Sequence, residues 1–459
     1  MAVQHRLREG SWSSEPVFIL ALIGAAAGFG NVWKFPYLVG TNGGGAFLVL
    51  YLLCLAGLAT PLLAAEIMLG RRGRGSPVRA YERVAALEGR WPAWQGLGWM
   101  SLVACCLLLA TYSVVGGWSI AYVFRTASGM FMELDTLRSA EVFQQLIRDP
   151  ERLLAWHTLF LAVTVMIVGR GVRLGLEEAA RWFMPMLAGL LLLLTCYAML
   201  VSGRFLEGLG MLLLPDFSAL SWQAVPKAMS HAFYSLTVGL GVALAYGSYV
   251  DDRVPIFKAS AMVAVGDTLI GLLAGLVVLP ILLGAQFMPS SGPAVIFQSL
   301  PLAFGQLPNG TWFGTLFFLL LVFAAWTSSI ALLEPMVAHL TERYRLDRVQ
   351  AAGYIGLFVW ILGVAALLSF SIWAHVRPLR MLEGFRDSTL FELFSHAAAN
   401  ILLPIGGLLV AIFVGWRLSV RTAELELGSG RLFRIWRFLI RYVVPVGMLM
   451  VLADAVGFL

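Results

Sequence analysis

The sequence predicts an all-α integral membrane protein, and three observations lead to this fold class. Hydrophobic residues make up 59% of the 459 residues and charged residues only 13%, which is more apolar surface than a water-soluble domain can bury. Stretches long enough to cross a bilayer recur along the whole chain. Some of them carry glycines and polar residues at membrane depth, a pattern typical of helices that are broken to bind ligands.

Eleven segments are apolar and long enough to be membrane-spanning helices. The basic N-terminal tail enters the first of them without a small-residue cleavage site, so we do not expect a cleavable signal peptide. The spans are predicted at residues 16–38, 46–69, 98–124, 155–168, 180–201, 225–249, 259–283, 314–340, 352–370, 390–414 and 438–458.

The distribution of lysine and arginine predicts the orientation. If the N-terminus is cytoplasmic, the inner connecting segments carry more than twice as many of these residues as the outer ones, as the positive-inside rule requires. An odd number of spans then places the C-terminus outside, in a multi-pass protein of the inner (plasma) membrane. The net charge of +6 reflects this topology. Nucleic-acid binding is disfavoured, because the basic residues are scattered over short loops.

The first span contains residues that destabilise a membrane helix. Gly24, Gly28 and Gly30 weaken the helix, and Asn31 and Lys34 are polar groups at membrane depth. A central lysine alone costs about 2.5–3.5 kcal/mol on insertion scales. We expect the helix to be interrupted here, so that its free backbone N–H and C=O groups can bind ligands.

A second interruption is predicted in the sixth span, where Ser235 and Thr237 precede Gly239 and Gly241. Broken spans at matching positions of two five-span halves indicate inverted repeats with a binding site between them.

The domain organisation follows from this pairing. We predict a cytoplasmic tail at residues 1–15, a first five-helix repeat at 16–205, a second at 206–417, and a loop with an eleventh helix at 418–459. Within the second repeat, the proline- and glycine-rich residues 286–309 are either an extracellular lid or an ordinary connecting loop.

Five polar side chains within the spans are candidates for ligand binding. Asp267 lies about nine residues into the seventh span, where a carboxylate must be paired or bind a cation unless the span begins later. Thr327 and Ser328 either face a cation or bond the carbonyl one turn back. Asn31 offers an amide oxygen to sodium or bonds a neighbouring helix. Tyr112 contacts a substrate or packs between helices.

The sequence carries no pattern of an enzyme. Its six histidines are scattered, its four cysteines lie in apolar runs, and no nucleophile–base pair or metal-ligand spacing is present. Glu66 in the second span is expected to be paired inside the bundle in a structural role. We therefore expect neither catalysis nor an organic cofactor.

The run GFGNVWKFP at residues 28–36, followed by NGGGAF at residues 42–47, closely resembles the neurotransmitter:sodium symporter family, whose members have the LeuT fold. This implies a LeuT-type 5+5 inverted repeat with broken first and sixth helices, plus an eleventh helix as in the shorter bacterial members. The similarity covers nearly the whole chain and continues through residues 116–118, 235–241, 267–275 and 327–329.

The resemblance implies two sodium sites, each built from oxygen donors. The first would combine the substrate carboxylate with the Ala26 carbonyl, Asn31, Ser235 and Asp267. The second would use the carbonyls of Gly24, Ala27 and Ala324 and the hydroxyls of Thr327 and Ser328.

The resemblance also implies an amino-acid substrate between the broken helices. Its carboxylate would meet the Phe29 and Gly30 N–H groups, at the positive end of a half-helix, and the Tyr112 hydroxyl. Its ammonium group would meet carbonyls near Ala26, Tyr234, Ser235 and Thr237. Its side chain would contact Leu108, Tyr234, Leu240, Ser328 and Leu332, with Tyr234 as an aromatic lid.

Gate residues can be assigned in the same way. Arg8 and Trp12 resemble an N-terminal latch on the inner side, with Tyr249 and Glu342 as its partners. On the outer side, Lys34 stands where the family commonly has arginine.

The outer gate departs from the family pattern. Ser395 stands where an acid is expected to pair with Lys34, and either Glu392 or His396 could substitute for it. His231, where the family often has glutamine, could also join this gate.

Asp267 stands where many members have asparagine, and Gly271 stands where chloride-dependent members have a serine. A fixed carboxylate beside the ion supplies the negative charge that chloride would otherwise provide. We therefore predict a chloride-independent protein.

These features favour a sodium-coupled symporter of a neutral, hydrophobic amino acid that works by alternating access, with sodium ions, the amino acid and the bilayer as its partners. Two alternatives stay open. One is a proton-coupled amino-acid transporter with Asp267 or His231 as the proton carrier. The other is a membrane sensor that binds the amino acid without moving it.

Overall fold

The computed structural model describes residues 10–132, 134–287, 295–381 and 383–458 of the chain. These residues form helices joined by turns, and the β-structure within these ranges is an isolated bridge between Gly44 and Pro215. The prediction of an all-α protein is confirmed.

Nine continuous helices within the described ranges are long and apolar enough to cross a membrane. They match the predicted second to fifth and seventh to eleventh spans. Several extend beyond the predicted bounds, because hydropathy marks only the part of a helix that lies in hydrocarbon. The helices are Gly45–Gly73, Pro92–Ala127, Pro150–Gly169, Val172–Val201, Ile256–Gly284, Gly310–Tyr344, Arg348–Leu368, Leu390–Arg417 and Arg431–Ala455.

The first span is broken, as predicted. Its halves, Glu15–Ala26 and Gly30–Thr41, are bent by 63° relative to each other. Gly28 lies at the bend, and a Cβ atom added to it would lie 2.3 Å from the Tyr112 hydroxyl. Glycine at this position therefore lets the third span approach the break closely.

The sixth span is also broken. It consists of the helices Ala224–Ser235 and Val242–Gly247, each too short to cross a bilayer alone, with non-helical residues 236–241 between them. Gly239 and Gly241 have φ angles of 90° and 71°, which glycine adopts without the steric penalty of other residues. The glycine pair thus makes this interruption possible.

Glu66 of the second span braces the sixth-span break. Its carboxylate is fully buried and accepts a hydrogen bond of 2.7 Å from the Gly239 N–H. A peptide N–H at membrane depth is costly when it has no partner. Glu66 therefore stabilises the non-helical backbone of the sixth span, which is a structural role as expected.

The third and eighth spans form the centre of the bundle. In their most apolar stretches, 78% and 83% of the residues are buried. The eighth span contacts the half-helix Glu15–Ala26 of the first span and the half-helix Val242–Gly247 of the sixth, so the centre of the bundle borders both broken spans.

The predicted outer segment 286–309 is helical over Val295–Ser299 and Leu300–Gln306, and its residues 288–294 lie outside the described ranges. Phe297 is fully buried, so the segment packs an apolar face into the bundle. Its action as a lid stays a prediction. Other short helices in the connections are Pro77–Leu87, Thr136–Arg148, Phe205–Leu213 and Val420–Leu427.

Close packing of the second span on the inner half of the sixth depends on Gly70. A Cβ atom added to Gly70 would lie 1.9 Å from the Leu244 carbonyl oxygen. We expect Gly70→Ala to lower the free energy of unfolding by about 2 kcal/mol or more, because overpacking typically costs this much. Thermal unfolding of the purified protein measures the change. Gly57→Ala in the same helix is the matched control, since no atom lies within 4 Å of its added Cβ, and equal unfolding temperatures would contradict the prediction.

Candidate functional site

The two interrupted spans meet around a small pocket. Its volume is about 20 Å³, which is room for about one water molecule. Nine of the eleven predicted substrate-binding residues line it, whereas Phe29 lines a larger cavity above it and Ser235 belongs to a neighbouring cluster. The lining residues are Ala25, Ala26, Gly28, Gly30, Asn31, Leu108, Tyr112, Tyr234, Thr237, Leu240, Ser328 and Leu332.

A buried cluster of oxygen-bearing side chains adjoins this pocket. The Ser235 hydroxyl and the Asn31 amide donate to the Asp267 carboxylate at 2.6 Å and 2.7 Å. The Tyr51 hydroxyl donates to the same carboxylate at 3.2 Å. The structure therefore brings three predicted sodium ligands together from three spans. The sequence does not predict Tyr51 as a member, because a tyrosine in an apolar run carries no signal of a partner 216 positions away.

A second group of oxygen atoms lies at the inner half of the first span. The Ser328 hydroxyl is 3.5 Å from the Gly24 carbonyl oxygen. The Thr327 hydroxyl donates to the Ala324 carbonyl of its own helix at 2.9 Å, which is the alternative that the sequence leaves open. Ala27, the remaining predicted member, is buried at the bend. The residues predicted for the second sodium site are thus close to one another, and the Thr327 hydroxyl is hydrogen-bonded within its own helix.

Tyr112 closes the outer side of the pocket against the first span. Its hydroxyl accepts a hydrogen bond of 2.9 Å from the Phe29 N–H, and the two rings lie 4.7 Å apart. The half-helix Gly30–Thr41 begins directly after this contact. The N-terminal end of a helix carries a partial positive charge, so this end of the pocket is suited to an anionic group.

A larger cavity of about 970 Å³ lies above the pocket and shares four lining residues with it, namely Gly30, Leu108, Tyr112 and Tyr234. The Lys34 ammonium group lies 5.5 Å from the centre of the Tyr234 ring. We call this cavity the vestibule. Tyr234 lies at the boundary between the vestibule and the pocket, where an aromatic lid would be.

Lys34 has no ion pair within the described part of the chain. Glu392 lines the vestibule, but its carboxylate caps the start of its own helix. His396 is 3.0 Å from the Asn400 amide. Asp454, near the end of the eleventh span, adds a carboxylate to the vestibule wall. The family motifs do not predict Asp454, since the eleventh helix lies outside the repeat.

His231 differs from its predicted place in the outer gate. It is buried between the rings of Phe35 and Tyr51, at centroid distances of 5.6 Å and 5.5 Å. It is not among the residues that line the vestibule. The aromatic neighbours enclose its ring beside the Asp267 cluster.

The opposite end of the bundle is closed by the N-terminal segment. The Trp12 indole donates to the Tyr246 carbonyl at 3.0 Å, and the Trp12 backbone N–H donates to the Tyr249 carbonyl at 3.2 Å. The Tyr249 hydroxyl donates to Glu334 at 2.6 Å, and Glu334 forms an ion pair with Arg348. The predicted contact between Trp12 and Tyr249 is present. Sequence patterns do not reveal Glu334 and Arg348, because the pair joins two different helices.

Glu342 has other partners than Trp12 and Tyr249. Its carboxylate oxygens accept the Ser76 N–H at 2.9 Å and 3.0 Å and so cap the helix Pro77–Leu87. Arg8 lies outside the described residues. A contact between Arg8 and Glu342 in the inner gate therefore stays a prediction.

The donor atoms in these clusters suit a hard cation. Within the described ranges, no three His, Cys, Asp or Glu residues are grouped to hold a metal ion. Carboxylate, amide, hydroxyl and carbonyl oxygens instead favour ions that do not need nitrogen or sulfur ligands. The arrangement can therefore hold a hard cation beside the pocket.

The sequence matches the family model described as "Sodium:neurotransmitter symporter family" over residues 8–134 and 138–457. An uncharacterized sodium-dependent transporter of Bacillus subtilis, YhdH, is 34% identical over 453 residues and 98% of both chains. An uncharacterized sodium-dependent transporter of Haemophilus influenzae is 30% identical, over 98% of this chain and 99% of the relative.

The fold is similar to that of a solved transporter. The crystal structure of MhsT in complex with L-phenylalanine matches with a TM-score of 0.85 and 33% sequence identity, over 97% of this chain and 99% of MhsT. MhsT has the LeuT fold, so the predicted fold is confirmed. Members of the matched family are transporters rather than enzymes. The chain therefore belongs to the sodium:neurotransmitter symporter family and is a sodium-dependent transporter.

Proposed function

We propose that this protein is a sodium-coupled symporter of neutral, hydrophobic amino acids that works by alternating access. The observation that carries the proposal is the pocket between the two broken spans, which adjoins the buried Asp267 cluster. An ion and a zwitterion bound there would share backbone dipoles and a fixed carboxylate. Each ligand would then raise the affinity of the other, as thermodynamic coupling requires.

Two sodium ions are proposed. The first binds between Asn31, Ser235, Asp267 and the Ala26 carbonyl, replacing the mutual hydrogen bonds of those side chains. The second binds where Ser328 approaches the Gly24 carbonyl at 3.5 Å. The full set for the second ion also includes the carbonyls of Ala27 and Ala324 and the hydroxyl of Thr327.

The proposed substrate orientation follows from the chemistry of the two ends of the pocket. The substrate carboxylate meets the Phe29 and Gly30 N–H groups and the Tyr112 hydroxyl. Its side chain meets Leu108, Leu240 and Leu332, which form the apolar part of the pocket lining.

Size and polarity support a hydrophobic substrate. Among the described lining residues there is no acid or base to pair with a charged substrate side chain. A volume of about 20 Å³ is smaller than any amino acid, so the walls must separate to admit one. Tyr234 is the proposed mobile element, because it borders both the pocket and the vestibule. The complex of MhsT with L-phenylalanine makes phenylalanine a suitable probe.

We propose that transport does not depend on chloride, and the surroundings of Asp267 and Gly271 support this. Its carboxylate supplies a negative charge and is bonded to Tyr51 and Ser235. A Cβ atom added to Gly271 would lie 3.1 Å from the Phe35 ring. A serine there would be crowded, so this chain offers no hydroxyl to an anion at that position.

We propose that the vestibule faces the outside and that the Trp12 contacts face the cytoplasm of the inner (plasma) membrane, with the C-terminus outside. In this conformation, the described contacts of Trp12, Tyr249 and Glu334 close the inner path. Transport requires these contacts to break while Tyr234 and Lys34 close the outer one. The repeat bounds 16–205 and 206–417 are proposed as the halves that rearrange.

Uptake of radiolabelled L-phenylalanine into proteoliposomes tests the function. We expect accumulation driven by an inward sodium gradient, unchanged when gluconate replaces chloride, and competed by leucine, tryptophan and tyrosine but not by glutamate or lysine. Uptake without sodium that follows a pH gradient would instead favour the proton-coupled alternative. Sodium-dependent binding without accumulation would favour the sensor.

Removal of the charge at Asp267 tests the first sodium site. We expect Asp267→Asn to raise the sodium concentration for half-maximal phenylalanine binding by at least about tenfold, or about 1.4 kcal/mol, because the ion loses its charged ligand. Scintillation proximity binding at graded sodium concentrations measures this. Glu207→Gln is the control, since Glu207 pairs with Arg204 on the outer surface. An unchanged sodium dependence would rule Asp267 out as a ligand.

Removal of the Tyr112 hydroxyl tests the proposed substrate orientation. We expect Tyr112→Phe to weaken phenylalanine binding roughly ten- to a hundredfold, because a hydrogen bond to a charged group contributes about 1.5–3 kcal/mol. Phenethylamine, which is phenylalanine without its carboxylate, should lose no affinity in the variant. Tyr442→Phe on the exposed surface is the control. Equal loss for ligands with and without a carboxylate would exclude this orientation.

A further inference from the structure

A groove at the proposed inner end of the bundle shares no lining residue with the pocket or the vestibule. It lies between residues 90–100 and the end of the tenth span, and its volume is about 470 Å³. Arg90 and Arg417 line it together with Trp91 and Trp94. Leu97, Met100 and Leu409 supply an apolar wall. The groove thus combines positive charge with an apolar surface.

The two arginines of this groove keep free hydrogen-bonding capacity. Both are exposed, and neither takes part in an ion pair within the described ranges. The Arg90 Nε donates to the Arg417 carbonyl at 3.0 Å, which places the two residues side by side. Glu88 nearby is already bonded to Ser419 and Thr422. The remaining guanidinium N–H groups are therefore available to an anion.

Exposed tryptophans indicate the depth of the groove in the membrane. Trp91, Trp99 and Trp416 have exposed fractions of 78%, 50% and 52%, and they lie at the ends of the helices that border the groove. Tryptophan is enriched at the membrane–water interface, at the level of the headgroups. The two arginines therefore lie where lipid phosphates lie, and the apolar wall extends towards the acyl chains.

A second groove provides a contrast. It has about 410 Å³ and also contains two arginines, Arg125 and Arg152, with Trp156. Its arginines have protein partners, since Arg125 donates to the Val142 carbonyl at 2.8 Å and Arg152 pairs with Asp149 at 3.0 Å. Free arginines thus distinguish the inner groove from the other one.

We propose that the inner groove is a binding site for one anionic phospholipid. The phosphate is bound by Arg90 and Arg417, and one acyl chain lies along Leu97, Met100 and Leu409. Basic pockets between helices on the cytoplasmic side are suited to such headgroups. Assignment to the inner leaflet rests on the orientation proposed above, whereas the binding itself is independent of the transported substrate.

Native mass spectrometry of the full chain tests the lipid site. The protein is purified in detergent and titrated with dioleoylphosphatidylglycerol or dioleoylphosphatidylcholine. We expect one phosphatidylglycerol to be retained preferentially by the native protein, and its occupancy to fall at least about fivefold in the Arg90→Gln/Arg417→Gln variant. The matched control is Arg431→Gln/Arg434→Gln, which removes two exposed arginines outside the groove and should retain the lipid.

Equal phosphatidylglycerol retention in the two double variants would overturn the proposal, as would equal retention of the two lipids by the native protein. Glycerol 1-phosphate that occupies the site as well as the lipid does would also overturn it, because the apolar wall would then contribute nothing. Should the groove variant fail to fold, quenching of Trp91 by bromine-labelled phosphatidylglycerol gives a second measurement. Quenching must be smaller in Trp91→Phe than in the native protein, and equal quenching would contradict the site.

Discussion

The structure depends on one constraint, which is that backbone N–H and C=O groups at membrane depth must find partners within the protein. Both broken spans expose such groups, and side chains from other helices bind some of them. Tyr112 accepts the Phe29 N–H, and Glu66 accepts the Gly239 N–H. Others are paired within the breaks themselves, as the Gly28 N–H is with the Ala26 carbonyl and the Thr237 N–H with the Tyr234 carbonyl. Both interruptions border the pocket, and contacts from the second and third spans stabilise their non-helical backbone.

The two ends of the bundle differ in how they are held. One end is joined by directional contacts from Trp12 through Tyr249 to Glu334 and Arg348, whereas the opposite end opens into a vestibule of about 970 Å³. Linked hydrogen bonds of this kind strengthen one another in a low-dielectric interior. This asymmetry supports the alternating access proposed above, in which the two ends exchange their open and closed states.

The two charged side chains Asp267 and Lys34 depart from the family pattern, and they have different kinds of partners. Asp267 is stabilised by three side-chain donors, from Asn31, Tyr51 and Ser235. Lys34 lacks an ion pair among the described residues and lies over the Tyr234 ring instead. A cation–π contact is weaker and less directional than a salt bridge to a carboxylate. In the outer gate proposed above, Lys34 would therefore depend more on aromatic packing, with Glu392 and Asp454 as further charges on the vestibule wall.

Sequence alone determined the features that depend on local chemistry. Hydropathy predicted the spans, and the glycines near 28 and 239 predicted the breaks, because helix stability is set largely by neighbouring residues. The resemblance of the motifs to the family also predicted that Asn31, Ser235 and Asp267 belong to one sodium site. Tertiary structure alone decided which groups pair across the bundle, such as Tyr51 with Asp267, Glu334 with Arg348, and His231 with its aromatic neighbours. Those partners lie on different helices, and only the packing of the helices brings them within bonding distance.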